Sequence, residues 1–149
     1  MFTMPNNKKQ NGFTLIELAL VIAMIGVISV SSSSLASSFL WRSDLSGSGE
    51  ITVASLRRAQ VLAKAQTNDT DWGVHIEDNL LTIFAGADFN SRDISFDEEY
   101  DLGSVTTGSP VDIVYSKFSG IPSSPFNITL VAAEETIVIN VNTEGAINY

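Results

Sequence analysis

A run of uncharged, mostly apolar residues from Phe13 to Val30, interrupted by the single carboxylate Glu17, constrains this chain more than any other feature. As a helix the run would rise about 27 Å, close to the roughly 30 Å of a bilayer's hydrocarbon core. A carboxylate inside such a run is expensive unless a cation pairs with it, so Glu17 is a functional candidate from the outset. Lys8 and Lys9 precede the run, and no Lys or Arg follows until Arg42. Basic residues stay on the cytoplasmic side, so the expected topology is a single-pass protein with a cytoplasmic N-terminus and an extracytoplasmic body.

Two processing routes fit this arrangement. In the ordinary one, Lys8 and Lys9 begin a signal peptide, the apolar run is its core, and Ser34-Leu35-Ala36 is a small-residue cleavage site. That route yields a secreted binding domain, or a membrane-anchored one if no cut occurs. The other route cuts before the apolar run and leaves the helix on the mature chain.

The stretch Gly12-Phe13-Thr14-Leu15-Ile16-Glu17-Leu18 resembles the processing motif of type IV pilins and pseudopilins. The resemblance implies that prepilin peptidase cuts after Gly12 and N-methylates Phe13. It also implies that Glu17 pairs with the N-terminal ammonium of a neighbouring subunit during filament assembly. Removing one partner of such a buried pair typically costs about 3–5 kcal/mol, so the contact would reward correct register between packed helices. The implied partners are prepilin peptidase, other pilin or pseudopilin subunits, an inner-membrane assembly platform and, before assembly, the membrane itself. The filament would lie at the cell surface or span the periplasm. Where many members carry a proline this chain has Ser34, within a run of four serines able to bend a helix by bonding back to its carbonyls.

The expected fold is α+β: a long N-terminal hydrophobic helix, the pilin spine, packed in its C-terminal part against an antiparallel β-sheet domain. Residues 1–12 would be the leader, 13–40 the transmembrane or filament-core helix, and 41–149 the extracytoplasmic domain. Trp41 reads equally as an interfacial anchor or as packing between helices. Ser46-Gly47-Ser48-Gly49 reads as a flexible joint, and helical spacing resumes from about 50 to 66 through Val53, Leu56, Ala59 or Gln60, and Ala63. Arg57, Arg58 and Lys64 read as a solvated basic face. Strands are expected from about 73: Gly73 to Glu77 and Leu80 to Ala85 around an Asp78-Asn79 turn, then Val111 to Phe118, Asn127 to Ala132 and Thr136 to Val141. Alternation of Ile137, Ile139 and Val141 suggests one strand face packed on the helix.

A second resemblance is narrower. Ala59-Gln60, Ala63 and Ala65, then Trp72-Gly73-Val74 and Leu81-Thr82-Ile83-Phe84, are similar to the H-type minor pseudopilins and related minor pilins. It implies a minor rather than an abundant major subunit.

Nothing in the chain calls for catalysis. There is no cysteine, one histidine (His75) in an alternating segment, and no Gly-x-Ser-x-Gly elbow or Gly-rich phosphate loop. A formal charge of −9 disfavours nucleic acid as a partner. The acidic stretch from Asp88 to Asp101 reads as a solvated loop. It fails the EF-hand pattern because Arg92 stands at the fifth position and Asp93 where the turn glycine belongs. No cofactor is expected, with calcium at Asp93, Asp97, Glu99 and Asp101 as the one candidate.

Overall fold

The computed structural model describes residues 12–149, and of residues 30–39 the backbone alone. Helix α1 runs Leu15–Lys64, followed by a short 3-10 turn at Thr67–Asp69. Seven strands follow: β1 (Trp72–Glu77), β2 (Leu80–Ala85), β3 (Asp93–Asp101), β4 (Val111–Tyr115), β5 (Phe126–Ala132), β6 (Glu135–Val141) and β7 (Ile147–Asn148). All pairings are antiparallel. They form a four-stranded sheet ordered β3-β2-β1-β4 and a three-stranded sheet ordered β5-β6-β7. The chain is therefore α+β, as expected, with two sheets. It divides into two compact units between Ser37 and Ser38.

In the first unit the described side chains, from Gly12 to Ser29, are all exposed. Among the described residues no helix is long and apolar enough to cross a membrane. The expected span ends at Val30, whose side chain lies outside the described residues. So do the leader lysines, the serine run and the Ser34-Leu35-Ala36 site.

The second unit, Ser38–Tyr149, holds the core. Leu45, Val53, Leu56, Ala59 and Ala63 of α1 join one buried cluster with Val74, Ile76, Leu81, Ile83, Ile113, Ile128, Leu130 and Ile139. The expected helix face is thus the buried one, and Ile139 and Val141 of β6 are buried beside it. Ser46 to Gly49 is not a joint, because α1 continues through it. Ser48 is only 5% exposed: its hydroxyl donates to the Leu102 carbonyl at 3.0 Å, and its own carbonyl accepts from the Thr52 hydroxyl at 2.8 Å. Gly49 faces Ile137. The small residues here do not interrupt the helix.

The helix ends where Gln66 takes a left-handed conformation (φ 58°), as helix C-termini commonly do. The β1–β2 hairpin turns at Asp78-Asn79 as expected, with Asp78 left-handed at φ 51°. Two more expectations fail. β4 stops at Tyr115 because residues 116–120 turn: Gly120 N donates to Ser116 O at 2.8 Å, and Phe118, at φ 69°, donates its N–H to Ala63 O at 3.1 Å. The acidic stretch is largely a strand. Residues 93–101 pair with β2 through Leu81↔Tyr100 and Ile83↔Glu98, with a register shift between Ile83 and Ala85.

Registers assign the faces of the four-stranded sheet. Trp72, Val74 and Ile76 with Leu81, Ile83 and Ile113 point into the helix-side core. Gly73, His75, Thr82 and Phe84 lie on the opposite face. That second face is also covered, by Phe89: its ring stacks on His75 at 3.6 Å and meets Phe84 edge-on at 5.5 Å. The Arg92 guanidinium lies 3.7 Å above Phe89. This cover explains why β1 is buried without alternation from Trp72 to Ile76. Tyr115 is fully buried, and its hydroxyl has no hydrogen-bond partner among the described residues. Burial pushes its titration well above the usual phenol range.

Candidate functional site

Gly12, Phe13 and Thr14 precede α1 without regular structure. Thr14 caps the helix. Its hydroxyl accepts the Glu17 backbone N–H at 3.3 Å, and its carbonyl accepts from Leu18 N at 3.2 Å. The Thr14-x-x-Glu17 spacing is that of a capping box, a signal present in the sequence that the processing motif overshadowed. Glu17 therefore sits in the first turn, where the aligned peptide dipoles favour a negative charge by about 0.3–1 kcal/mol.

The Gly12–Phe13 bond lies just outside this cap. Phe13 is 83% exposed, and a Cβ placed on Gly12 would meet no atom within 4 Å. An exposed, non-helical peptide bond is what a protease needs to take its substrate in extended form. The three residues singled out for processing and assembly (Gly12, Phe13 and Glu17) thus fall on one exposed helix start. The geometry places an exposed, non-helical peptide bond and a carboxylate close together at the helix start.

The four calcium candidates go separate ways. Asp93 accepts from Ser95 N and Oγ at 3.1 and 2.6 Å, and these bonds hold its carboxyl below the usual range. Asp97 is nearly buried; its Oδ2 accepts from Arg92 Nε at 2.8 Å, while Oδ1 has no partner among the described residues. Glu99 borders a cleft on the outer face, and Asp101 accepts from Gly103 N at 2.7 Å and from Asn79 at 3.2 Å. Among the described residues no group of three or more carboxylate or imidazole side chains is arranged to hold a metal ion.

Other singled-out residues have structural places. Arg58 is not simply solvated. It forms a two-pronged pair with Glu98 at 2.7 and 2.6 Å, which lowers the Glu98 carboxyl and raises the guanidinium. Arg57 is exposed. Trp72 is a core residue whose indole donates to Thr67 O at 2.9 Å. Trp41 is partly exposed, and Arg42 beside it pairs with Glu135 at 2.8 Å. His75 is buried, its Nδ1 2.6 Å from Asp112 and its Nε2 3.5 Å from Glu77. A cleft of about 390 Å³ opens beside it, bordered by Thr82, Phe89, Arg92 and Glu99. The stack of His75, Phe89 and Arg92 had no sequence signal, because it forms only when the segment after β2 folds back over the sheet.

No curated protein and no solved structure gave a match to this chain. Residues 7–33 match the family model described as the prokaryotic N-terminal methylation motif. That segment contains the helix start just described, and the match supports a type IV pilin-like chain handled by prepilin peptidase.

Proposed function

We propose that this chain is a structural subunit of a type IV pilus or type II secretion-like filament, more specifically a minor pilin or pseudopilin. The observation that carries the proposal is the methylation-motif match placed on an exposed, capped helix start. Prepilin peptidase cuts after Gly12 and methylates Phe13. The helix then holds the protein in the membrane until it is drawn into a bundle of like helices. There Glu17 accepts the ammonium of a neighbouring subunit, the cation that its apolar setting demands. The second unit faces outward, and its work is contact, not chemistry. The H-type assignment rests on the spacing of Ala59, Ala63, Trp72-Gly73 and the β2 residues, supported by their placement on one helix and one hairpin.

Mass spectrometry of the mature N-terminus, with the chain made alongside prepilin peptidase, tests the proposal. A methylated Phe13 is expected. Cleavage after Ala36, or an intact N-terminus in the presence of active peptidase, would overturn it.

A further inference from the structure

We propose that the free edge of β3 is a docking strand for an extended segment of another protein in which basic and apolar residues alternate. The other long sheet edges are each bridged over part of their length. Along β4, Tyr115 bridges to Pro122, and Ser123 N donates to Val114 O at 3.2 Å. Along β5, Thr106 and Val131 exchange bonds of 3.0 and 2.9 Å. Among the described residues β3 has no such cover on the side away from β2.

The register shows which groups that edge offers. Leu102 N donates to Asn79 O at 2.7 Å, and Leu81 lies opposite Tyr100. Residues alternate along an antiparallel strand, so Tyr100 also turns its backbone toward β2. The N–H and C=O groups of Glu99 and Asp101 then point outward. These two carboxylates flank every bond an added strand would make there.

Charge decides the occupant. Opposite charges directly across a strand pair attract and like charges repel, so a second copy of this acidic strand is disfavoured and Lys or Arg is favoured. The two faces of β3 ask for different residues. Glu99 and Asp101 are exposed on the outer face. On the helix-side face Glu98 is already paired with Arg58, and Tyr100 borders an apolar groove of about 150 Å³ with Ile51 and Ala54. Farther along, Phe96 is 39% and Ile94 71% exposed. Charges that merely protect a sheet edge from aggregation need no apolar groove beside them. An incoming strand with basic residues over Glu99 and Asp101 and apolar residues toward Tyr100 satisfies both faces. The proposal stands on β3 alone and does not depend on filament assembly.

The test uses the full chain in detergent at physiological salt and a labelled peptide alternating lysine and valine. Its controls are an alternating glutamate–valine peptide and a peptide of the same lysine–valine composition with the lysines in one block. Saturable binding of the alternating basic peptide is expected, with exchange of the Glu99 and Asp101 amides slowed about tenfold or more. Glu99→Lys should weaken that binding on the order of fivefold, and Glu99→Gln by less. The proposal is overturned by absence of binding, by equal binding of the block peptide, by binding that leaves those amides unprotected, or by equal affinity in both Glu99 variants.

Discussion

Gly73→Ala is expected to destabilise the second unit, although it adds only a methyl group to a strand. Gly73 lies directly across from Phe84, whose ring covers it, and Ile113 flanks it from β4. A Cβ on Gly73 would overlap Phe84 Cζ and stand 2.7 Å from Phe84 Cε1 and 2.9 Å from the Ile113 carbonyl oxygen. Carbon–carbon contacts relax near 3.5–4.0 Å, so something must move by about 1 Å. The Ile113 carbonyl belongs to a paired strand. The Phe84 ring is fully buried and meets Phe89 edge-on, which in turn stacks on His75. Overpacking of this kind costs about 1–3 kcal/mol. Replacing glycine by alanine restricts the unfolded chain, which offsets about 0.4–1 kcal/mol. A net loss of roughly 1–2 kcal/mol remains, or about 4–8 °C in the midpoint of a unit this size. Thermal and urea melts of the full chain in detergent, followed through tryptophan, measure it. Phe84→Leu in the same chain should relieve much of the clash, giving a coupling of about 1 kcal/mol in a double-mutant cycle. Costs that simply add, or a Gly73→Ala chain as stable as its parent, would refute the reasoning.

Three further outcomes are expected. Glu17→Gln keeps a capping-box residue but removes the charge, so helix content should hold while incorporation into filaments falls; unchanged incorporation would remove the carboxylate's assembly role. Arg58 lowers the Glu98 carboxyl below its ordinary 4.5, so the pair contributes above that pH and its contribution is lost as pH falls through the depressed value. Both side chains are substantially exposed, so Arg58→Ala should cost about 0.3–1 kcal/mol at pH 7 and less as pH falls through the depressed Glu98 value; a loss independent of pH would point to packing by the Arg58 stem instead. Tyr115→Phe removes a buried hydroxyl that has no partner among the described residues and should stabilise by about 1 kcal/mol, whereas a loss in urea denaturation would mean the hydroxyl is satisfied.

Much of the second unit was legible because its signals are local. The spacing of Val53, Leu56, Ala59 and Ala63 marks the buried helix face, and Asp78-Asn79 between two apolar segments marks a hairpin. β3 was not legible as a strand because its carboxylates imitate a loop. Ile94, Phe96 and Tyr100, separated by polar residues, carried a strand pattern, but hydrophobic periodicity counts weakly where an edge strand leaves those side chains exposed. Ser46 to Gly49 misled for a related reason. Small residues favour turns in isolation, yet here the helix runs through them and Ser48 bonds to Leu102 across the contact. Phe118 failed as a strand residue through a left-handed backbone angle that its side chain does not advertise. At the N-terminus the processing motif gave Gly12, Phe13 and Glu17 their proposed roles, while the physical part of Thr14 emerged only from the hydrogen bonds at the helix start.

That threonine cap separates the winding of the helix from whatever precedes it. A cut after Gly12 leaves Thr14 and Glu17 on the retained chain, so the helix need not find a new beginning when the leader departs. The proposed cut would alter the tip's charge while keeping the cap that starts the helix. The freed ammonium of Phe13 would sit against the positive end of its own helix, an unfavourable placement of about 0.3–1 kcal/mol. Under the proposed processing, that ammonium would be better accommodated against a carboxylate than against the helix end alone.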